Sequence, residues 1–234
     1  MMKKDIPNTD RLIVALDVPQ VDQAKALVTE LGESALFYKI GLELFMTGEY
    51  FHLLNWLSDQ NKKVFVDLKF FDIPKTVAGA VSQLGGRNVH FATIHGNDAM
   101  MKAAAQVKQD VKILAVTALT SLDQGDLDDL GFKCDIQQLV VSRARRALES
   151  GCDGVVASGQ EAKVLSTEVD DKLLIVTPGI RPVKNVDDQK RAVTVSQAFN
   201  NGADYIVIGR PIRDAISPRQ MAEHIQSEIQ LTLA

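Results

Sequence analysis

The sequence has few of the residues that staple, anchor or metallate a chain. It has only two cysteines, Cys134 and Cys152, in 234 residues. They form no CxxC pair and no Cys/His zinc spacing, which argues against a disulfide scaffold and a structural zinc site. No basic tract exceeds two or three residues and the formal charge is −4, which argues against a general nucleic-acid binder. No apolar run approaches the ~18 residues of a membrane-spanning helix. Met1-Met2-Lys3-Lys4-Asp5 is followed by no apolar h-region, so the expected address is the cytoplasm. What is present is ordinary: 46% hydrophobic and 24% charged residues, which exclude disordered, collagen-like and coiled-coil chains.

Short apolar runs alternate with longer amphipathic ones. Strands are expected at 12–17, 35–40, 63–69, 89–95, 112–119, 154–158, 173–178 and 205–209. They are rich in Val, Ile, Leu and Phe, as strands buried on both faces are. Helices are expected at 21–31, 50–60, 75–84, 98–109, 136–150 and 218–230. The β-to-β step is about 27 residues, one βα unit. Eight such units predict a (β/α)8 TIM barrel, with residues 1–234 as a single domain. The competitor is a doubly wound open sheet, but no Gly-x-Gly-x-x-Gly follows the first strand. Two long connections, 120–135 and 179–191, read as loops of the barrel's C-terminal face, where such enzymes keep lids and ligand contacts.

The densest polar cluster, Asp67-Leu68-Lys69-Phe70-Phe71-Asp72-Ile73-Pro74-Lys75-Thr76, ends the third strand. Residues i and i+2 of a strand share a face, so Asp67 and Lys69 point together while Val66 and Leu68 face the helix layer. The bland reading is an ion pair capping a strand. Asp17 closing the first strand and Lys39 closing the second extend it to four alternating charges on one rim. Opposite charges keep lysines protonated, and a protonated lysine beside a reacting carbon is a proton donor. After the seventh strand comes Thr177-Pro178-Gly179-Ile180-Arg181-Pro182, and after the eighth Ile208-Gly209-Arg210-Pro211. Barrel loops seven and eight often hold a phosphate. Gly209 lets the backbone approach, and Arg181 and Arg210 offer cationic forks.

The remaining polar residues read as structural. His95 has no carboxylate partner apparent in sequence. Cys134 and Cys152 read as small apolar residues, and Trp56, Met100 and Met101 as helix packing. Asp126-Leu127-Asp128-Asp129 is expected in a flexible loop and matches no calcium-loop spacing.

The segment from Asp67 to Thr76 closely resembles the active-site signature of the orotidine 5′-phosphate decarboxylase family. The resemblance runs along nearly the whole chain, through Val14-Ala15-Leu16-Asp17, Lys39-Ile40-Gly41 and both arginine segments. It implies conversion of orotidine 5′-phosphate to UMP and carbon dioxide, the last step of de novo pyrimidine synthesis, with no metal or organic cofactor. It implies that Lys69 stabilises and protonates the C6 carbanion, that Asp67 lies near the departing carboxylate and holds Lys69, and that Lys39 completes the array. By the same resemblance Asp17 contacts ribose hydroxyls and Thr120 the pyrimidine edge, while Arg181, Gln189, Gly209 and Arg210 bind phosphate. Asp72 and Thr76 match positions reaching into a neighbouring subunit, so a homodimer with shared active sites is implied. The stretch from Pro182 to Asp188 lacks the glycines expected of a mobile lid.

Two alternatives remain at this level. Mg²⁺-dependent sugar-phosphate decarboxylases and synthases share the Asp-x-Lys-x-x-Asp core, but usually carry an acidic residue in place of Ile73-Pro74-Lys75-Thr76. A catalytically silent phosphate-binding barrel explains Arg181 and Arg210 but not the four charges.

Overall fold

The computed structural model describes residues 4–169, 172–181 and 192–234. Its strands are β1 (Leu12–Ala15), β2 (Phe37–Gly41), β3 (Lys63–Phe70), β4 (Val89–His95), β5 (Lys112–Val116), β6 (Gly154–Val156), β7 (Leu174–Thr177) and β8 (Tyr205–Ile208). Neighbours in sequence pair in parallel, and β8 closes on β1 with Val14 level with Ile208. The expected eight-stranded barrel is the observed one. Several strands stop short of their expected ends because the chain turns off the sheet at the rim. After β1 the Leu16 N–H still reaches the Lys39 carbonyl (2.9 Å), but the Val18 N–H folds back onto Leu16 (3.1 Å). Asp17 therefore stands just above the sheet, where its side chain can lean over the mouth.

The helices are α1 (Val21–Leu31), α2 (Leu42–Phe45), α3 (Tyr50–Asp59), α4 (Pro74–Ser82), α5 (Asp98–Val107), α6 (Gln124–Asp129), α7 (Ile136–Glu149), α8 (Ala162–Glu168), α9 (Val195–Asn200), α10 (Arg210–Arg213) and α11 (Pro218–Leu233). The long ones were legible from their periodicity. The expectation that 126–129 is a flexible loop is corrected: these residues lie in α6. Asp123 accepts the Asp126 N–H (3.1 Å) and Asp126 returns the bond to the Asp123 N–H (2.8 Å), a reciprocal cap that starts a helix without hydrophobic periodicity.

Alternation along the strands sorts side chains into two cores. Leu12, Val14, Tyr38, Ile40, Val64, Val66 and Ala92 face the helices. Ile13, Ala15, Phe37, Phe65, Phe91, Leu114, Val176, Tyr205 and Val207 fill the barrel. The aromatic members interlock, with the Phe91 ring 5.1 Å from both Phe37 and Tyr205. This apolar plug is the floor of the site. Lys39, Asp67 and Thr93 lie two residues beyond Phe37, Phe65 and Phe91, so they form the next inward layer.

Candidate active site

Three adjacent strand ends carry one chain of charge. The Lys39 ammonium donates to Asp17 Oδ1 (2.8 Å) and lies 3.4 Å from Asp67 Oδ2. The Lys69 ammonium donates to Asp67 Oδ1 (2.9 Å). The order Asp17–Lys39–Asp67–Lys69 is the alternation expected from the sequence. Burial grades along it: Lys39 and Asp67 are buried, whereas the Asp17 side chain is 48% exposed and that of Lys69 30%. The deep pair is fully compensated and the outer ammonium remains open to a ligand. Gly41 lies against the array: a Cβ there would stand 3.4 Å from both Asp17 Oδ1 and Lys39 Nζ, at the edge of ordinary contact.

Burial alone would discharge the inner pair, pulling the Lys39 ammonium down and pushing the Asp67 carboxyl up. Neighbouring charges win in both cases. Asp67 and Asp17 hold the Lys39 pKa above its ordinary value. Lys39, Lys69 and the bond from Thr93 hold Asp67 below the usual carboxylate range.

The way Lys69 turns inward differs from the simple strand argument. Val66 and Leu68 do face the helix layer, as expected. The β3–β4 register, however, shifts between Val66 and Phe70, and Lys69 has φ +48°. A non-glycine residue in this left-handed region is strained by roughly 1–2 kcal/mol and persists only where its surroundings hold it. The Lys69 N–H is held by Thr93 Oγ1 (2.9 Å), and the Thr93 hydroxyl reaches Asp67 Oδ1 (2.9 Å). Thr93 is a site residue that the sequence reading missed. Its signal was its place, two residues beyond inward-facing Phe91 on the strand beside Asp67.

The anion-binding candidates cluster beyond β7 and β8, and β8 lies beside β1. Arg181 and Arg210 line one open cleft of about 890 Å³, together with Asp214, Gln220 and His224. The Arg181 backbone is pinned by its N–H to the Val193 carbonyl (2.9 Å). Gly209 leads into α10 beside the first strand; a Cβ there would lie 3.4 Å from the Ala15 Cβ and 3.8 Å from Asp17 Oδ2. Arg213 ties this turn to the charge array. It forks onto Asp214 (2.6 and 3.0 Å) and donates to the Asp17 carbonyl. Thr120 is half-buried just beyond β5. Gln189 lies outside the described residues.

Asp72 and Thr76 are exposed and make no contact with the array in this chain. Asp72 accepts the Ile73 N–H (2.6 Å) at the start of α4. The apolar residues around them are exposed as well: Phe71 is 64% and Ile73 66% open, with Leu42, Phe45 and Met46 on the adjacent connection after β2. His95 lies against Phe71 with ring centroids 4.8 Å apart, and burial, then Arg143 and Lys69, hold its pKa below the ordinary value. Cys152 is buried, and burial pushes its thiol up to about 12, in keeping with a packing residue. Among the described residues no group of three or more His, Cys, Asp and Glu side chains is placed to hold a metal ion. No helix among them is long and apolar enough to cross a membrane.

Comparison with known proteins places this geometry in a family. Residues 10–225 match the profile of the family described as "Orotidine 5'-phosphate decarboxylase / HUMPS family". The chain is 63% identical over 231 residues to an orotidine 5'-phosphate decarboxylase of Methylococcus capsulatus, covering 98% of this chain and 96% of that protein. It is 53% identical over 223 residues to one from Xanthomonas campestris pv. campestris, covering 94% and 92%. The crystal structure of orotidine 5'-phosphate decarboxylase from Lactobacillus acidophilus superposes with a TM-score of 0.84 at 34% identity, covering 94% of this chain and 99% of the other. With the barrel, the Asp67–Thr76 segment and both arginine turns in place, these matches show that the chain belongs to the orotidine 5′-phosphate decarboxylase / HUMPS family.

Proposed function

We propose that this barrel, a single catalytic domain, converts orotidine 5′-phosphate to UMP and carbon dioxide, closing de novo pyrimidine synthesis, without a metal or organic cofactor. The observation that carries the reading is the Asp17–Lys39–Asp67–Lys69 chain, in which a half-open ammonium is braced by a buried anion. The bond from C6 to the carboxylate breaks, carbon dioxide leaves, and the electron pair stays on C6. The Lys69 ammonium stabilises that pair and delivers its proton to C6; water then reprotonates the amine. A preorganised charge is worth most where water is excluded, and here it stands above a floor of Phe37, Phe65 and Phe91. Both Asp67 oxygens face cations, Oδ1 also taking the Thr93 hydroxyl, so the charge a metal supplies elsewhere is supplied by Lys39 and Lys69.

Asp17 is assigned to the ribose hydroxyls, Thr120 to the pyrimidine edge, and Arg181, Gln189, Gly209 and Arg210 to the phosphate. Phosphate contacts far from C6 lend binding energy to the chemical step. Asp72 and Thr76 are assigned to the active site of a second copy in a homodimer. Their exposure beside open Phe71 and Ile73 supports that assignment. We assign the enzyme to the cytoplasm.

The test is an absorbance assay of the purified protein with orotidine 5′-phosphate, with and without excess EDTA. Turnover that EDTA leaves untouched is expected. Turnover lost with the metal points to the Mg²⁺-dependent sugar-phosphate branch, and tight UMP binding without turnover to a silent barrel. For the shared sites, Lys69→Ala and Asp72→Asn chains, each inactive alone, should regain part of the activity when mixed; no recovery contradicts them.

A further inference from the structure

Thr93 stands behind Lys69, and its role rests on the action proposed for Lys69 at C6. Thr93 is fully buried inside the barrel, level with Asp67. A hydroxyl has one proton to give and lone pairs to accept with. Here its acceptor side is taken by the Lys69 N–H (2.9 Å). Its one proton is therefore directed at Asp67 Oδ1, also at 2.9 Å. That oxygen also takes the Lys69 ammonium (2.9 Å). The three groups close a ring: Lys69 backbone to Thr93, Thr93 to Asp67, Asp67 to the Lys69 ammonium. The ring spans the point where the β3–β4 register breaks and Lys69 adopts φ +48°.

We propose that Thr93 is a positioning residue for the decarboxylation: through one hydroxyl it holds the left-handed turn that aims the Lys69 ammonium and keeps Asp67 an obligate hydrogen-bond acceptor. Neither bond involves the ribose or phosphate, so the effect belongs to kcat and not to substrate capture. The bond from Thr93 to Asp67 also adds to the charges of Lys39 and Lys69 in keeping that carboxylate ionised, so its loss should narrow the acid limit of activity. The charges facing Asp67 are Lys69 on its own strand and Lys39 on β2, with Asp17 beyond Lys39. Tyr50 approaches from α3, its hydroxyl bound to the Ile40 carbonyl (3.0 Å), and His95 stands near Lys69 on β4. Of these neighbours only Thr93 both binds the Asp67 carboxylate and accepts from the Lys69 peptide.

Thr93→Val keeps the volume and removes both bonds; Thr93→Ser keeps both bonds. The assay is turnover of orotidine 5′-phosphate against pH, with UMP binding and thermal unfolding as checks on the fold. Thr93→Val should lower kcat by about ten- to a hundredfold with KM changed less than about threefold. Its acid limb should move to higher pH, because Asp67 loses a bond that favours its ionised form. Thr93→Ser should recover kcat to within about threefold of the parent. Thermal unfolding followed over the same pH range separates acid unfolding from a shift of the acid limb; if Thr93→Val yields no soluble protein, Thr93→Ala carries the same expectation. A Thr93→Val enzyme with kcat within twofold and an unmoved acid limb overturns the proposal. So does a Thr93→Ser enzyme as impaired as Thr93→Val. Lys69→Ala, run alongside, separates the two levels. If it is inactive while Thr93→Val is normal, only the Thr93 inference falls. If it turns over normally, both fall.

Discussion

Asp67→Asn should destabilise the folded protein, although it changes one atom. Asp67 is the anion that separates two ammoniums, Lys39 at 3.4 Å and Lys69 at 2.9 Å. At an effective dielectric near 20, opposite unit charges at such a distance attract by about 5 kcal/mol, most of which offsets their desolvation. Removing one partner leaves that desolvation uncompensated, typically at about 3–5 kcal/mol. Lys39 keeps Asp17 at 2.8 Å, which tempers the loss. We therefore expect about 3 kcal/mol, or a fall in Tm of roughly 6–12 °C for a chain of this size. Calorimetry of the parent, Asp67→Asn, Lys39→Met and the double variant forms a cycle. The double variant should be more stable than the sum of the single losses, because it leaves no buried unpaired charge. Equal Tm values for parent and Asp67→Asn, or strict additivity, would refute the reasoning.

Other outcomes follow from the same contacts. The Asp67 carboxyl is depressed, so its share of stability is present above about pH 4 and lost as pH falls through its lowered value; the Lys39 ammonium is raised, so its share is present below about pH 10 and lost as pH rises through its raised value. Tm against pH should show both edges, and the acid edge should shrink in Asp67→Asn. Arg213→Met releases the strap between α10 and the Asp17 carbonyl and should raise KM by about three- to tenfold with kcat changed less, read from steady-state kinetics. Gly154→Ala puts a Cβ 2.6 Å from the Leu174 carbonyl and 2.8 Å from Leu114 Cδ2, and should lower stability by about 1–3 kcal/mol in urea unfolding.

The barrel was legible because its strands are buried on both faces, so short Val/Ile/Leu/Phe runs stand out against amphipathic helices. The charge array was legible because Asp17, Lys39, Asp67 and Lys69 end consecutive strands, and a barrel makes consecutive strands neighbours. The geometry at Lys69 was not. Alternation placed it correctly beside Asp67, but the turn at φ +48° depends on a register break between β3 and β4 that no single strand encodes. Thr93 needed that pairing too, and a lone Thr in a buried strand carries no mark of its partners. Arg213 was hidden for another reason: α10 spans only Arg210–Arg213, too short for periodicity, and its contact with Asp17 joins opposite ends of the chain. Asp126 was misread because its cap with Asp123 is local hydrogen bonding, invisible to a search for apolar period.

The proposed chemistry rests on the Lys69 ammonium, braced by Asp67, acting at C6. The most direct measurement compares turnover of orotidine 5′-phosphate by the parent and by Lys69→Ala, with UMP affinity measured on both. A loss of turnover of about a thousandfold or more is expected, with UMP affinity held within about tenfold, because Lys69 is not among the residues assigned to the phosphate and ribose. Turnover within tenfold of the parent, in a Lys69→Ala protein that still binds UMP, would contradict it.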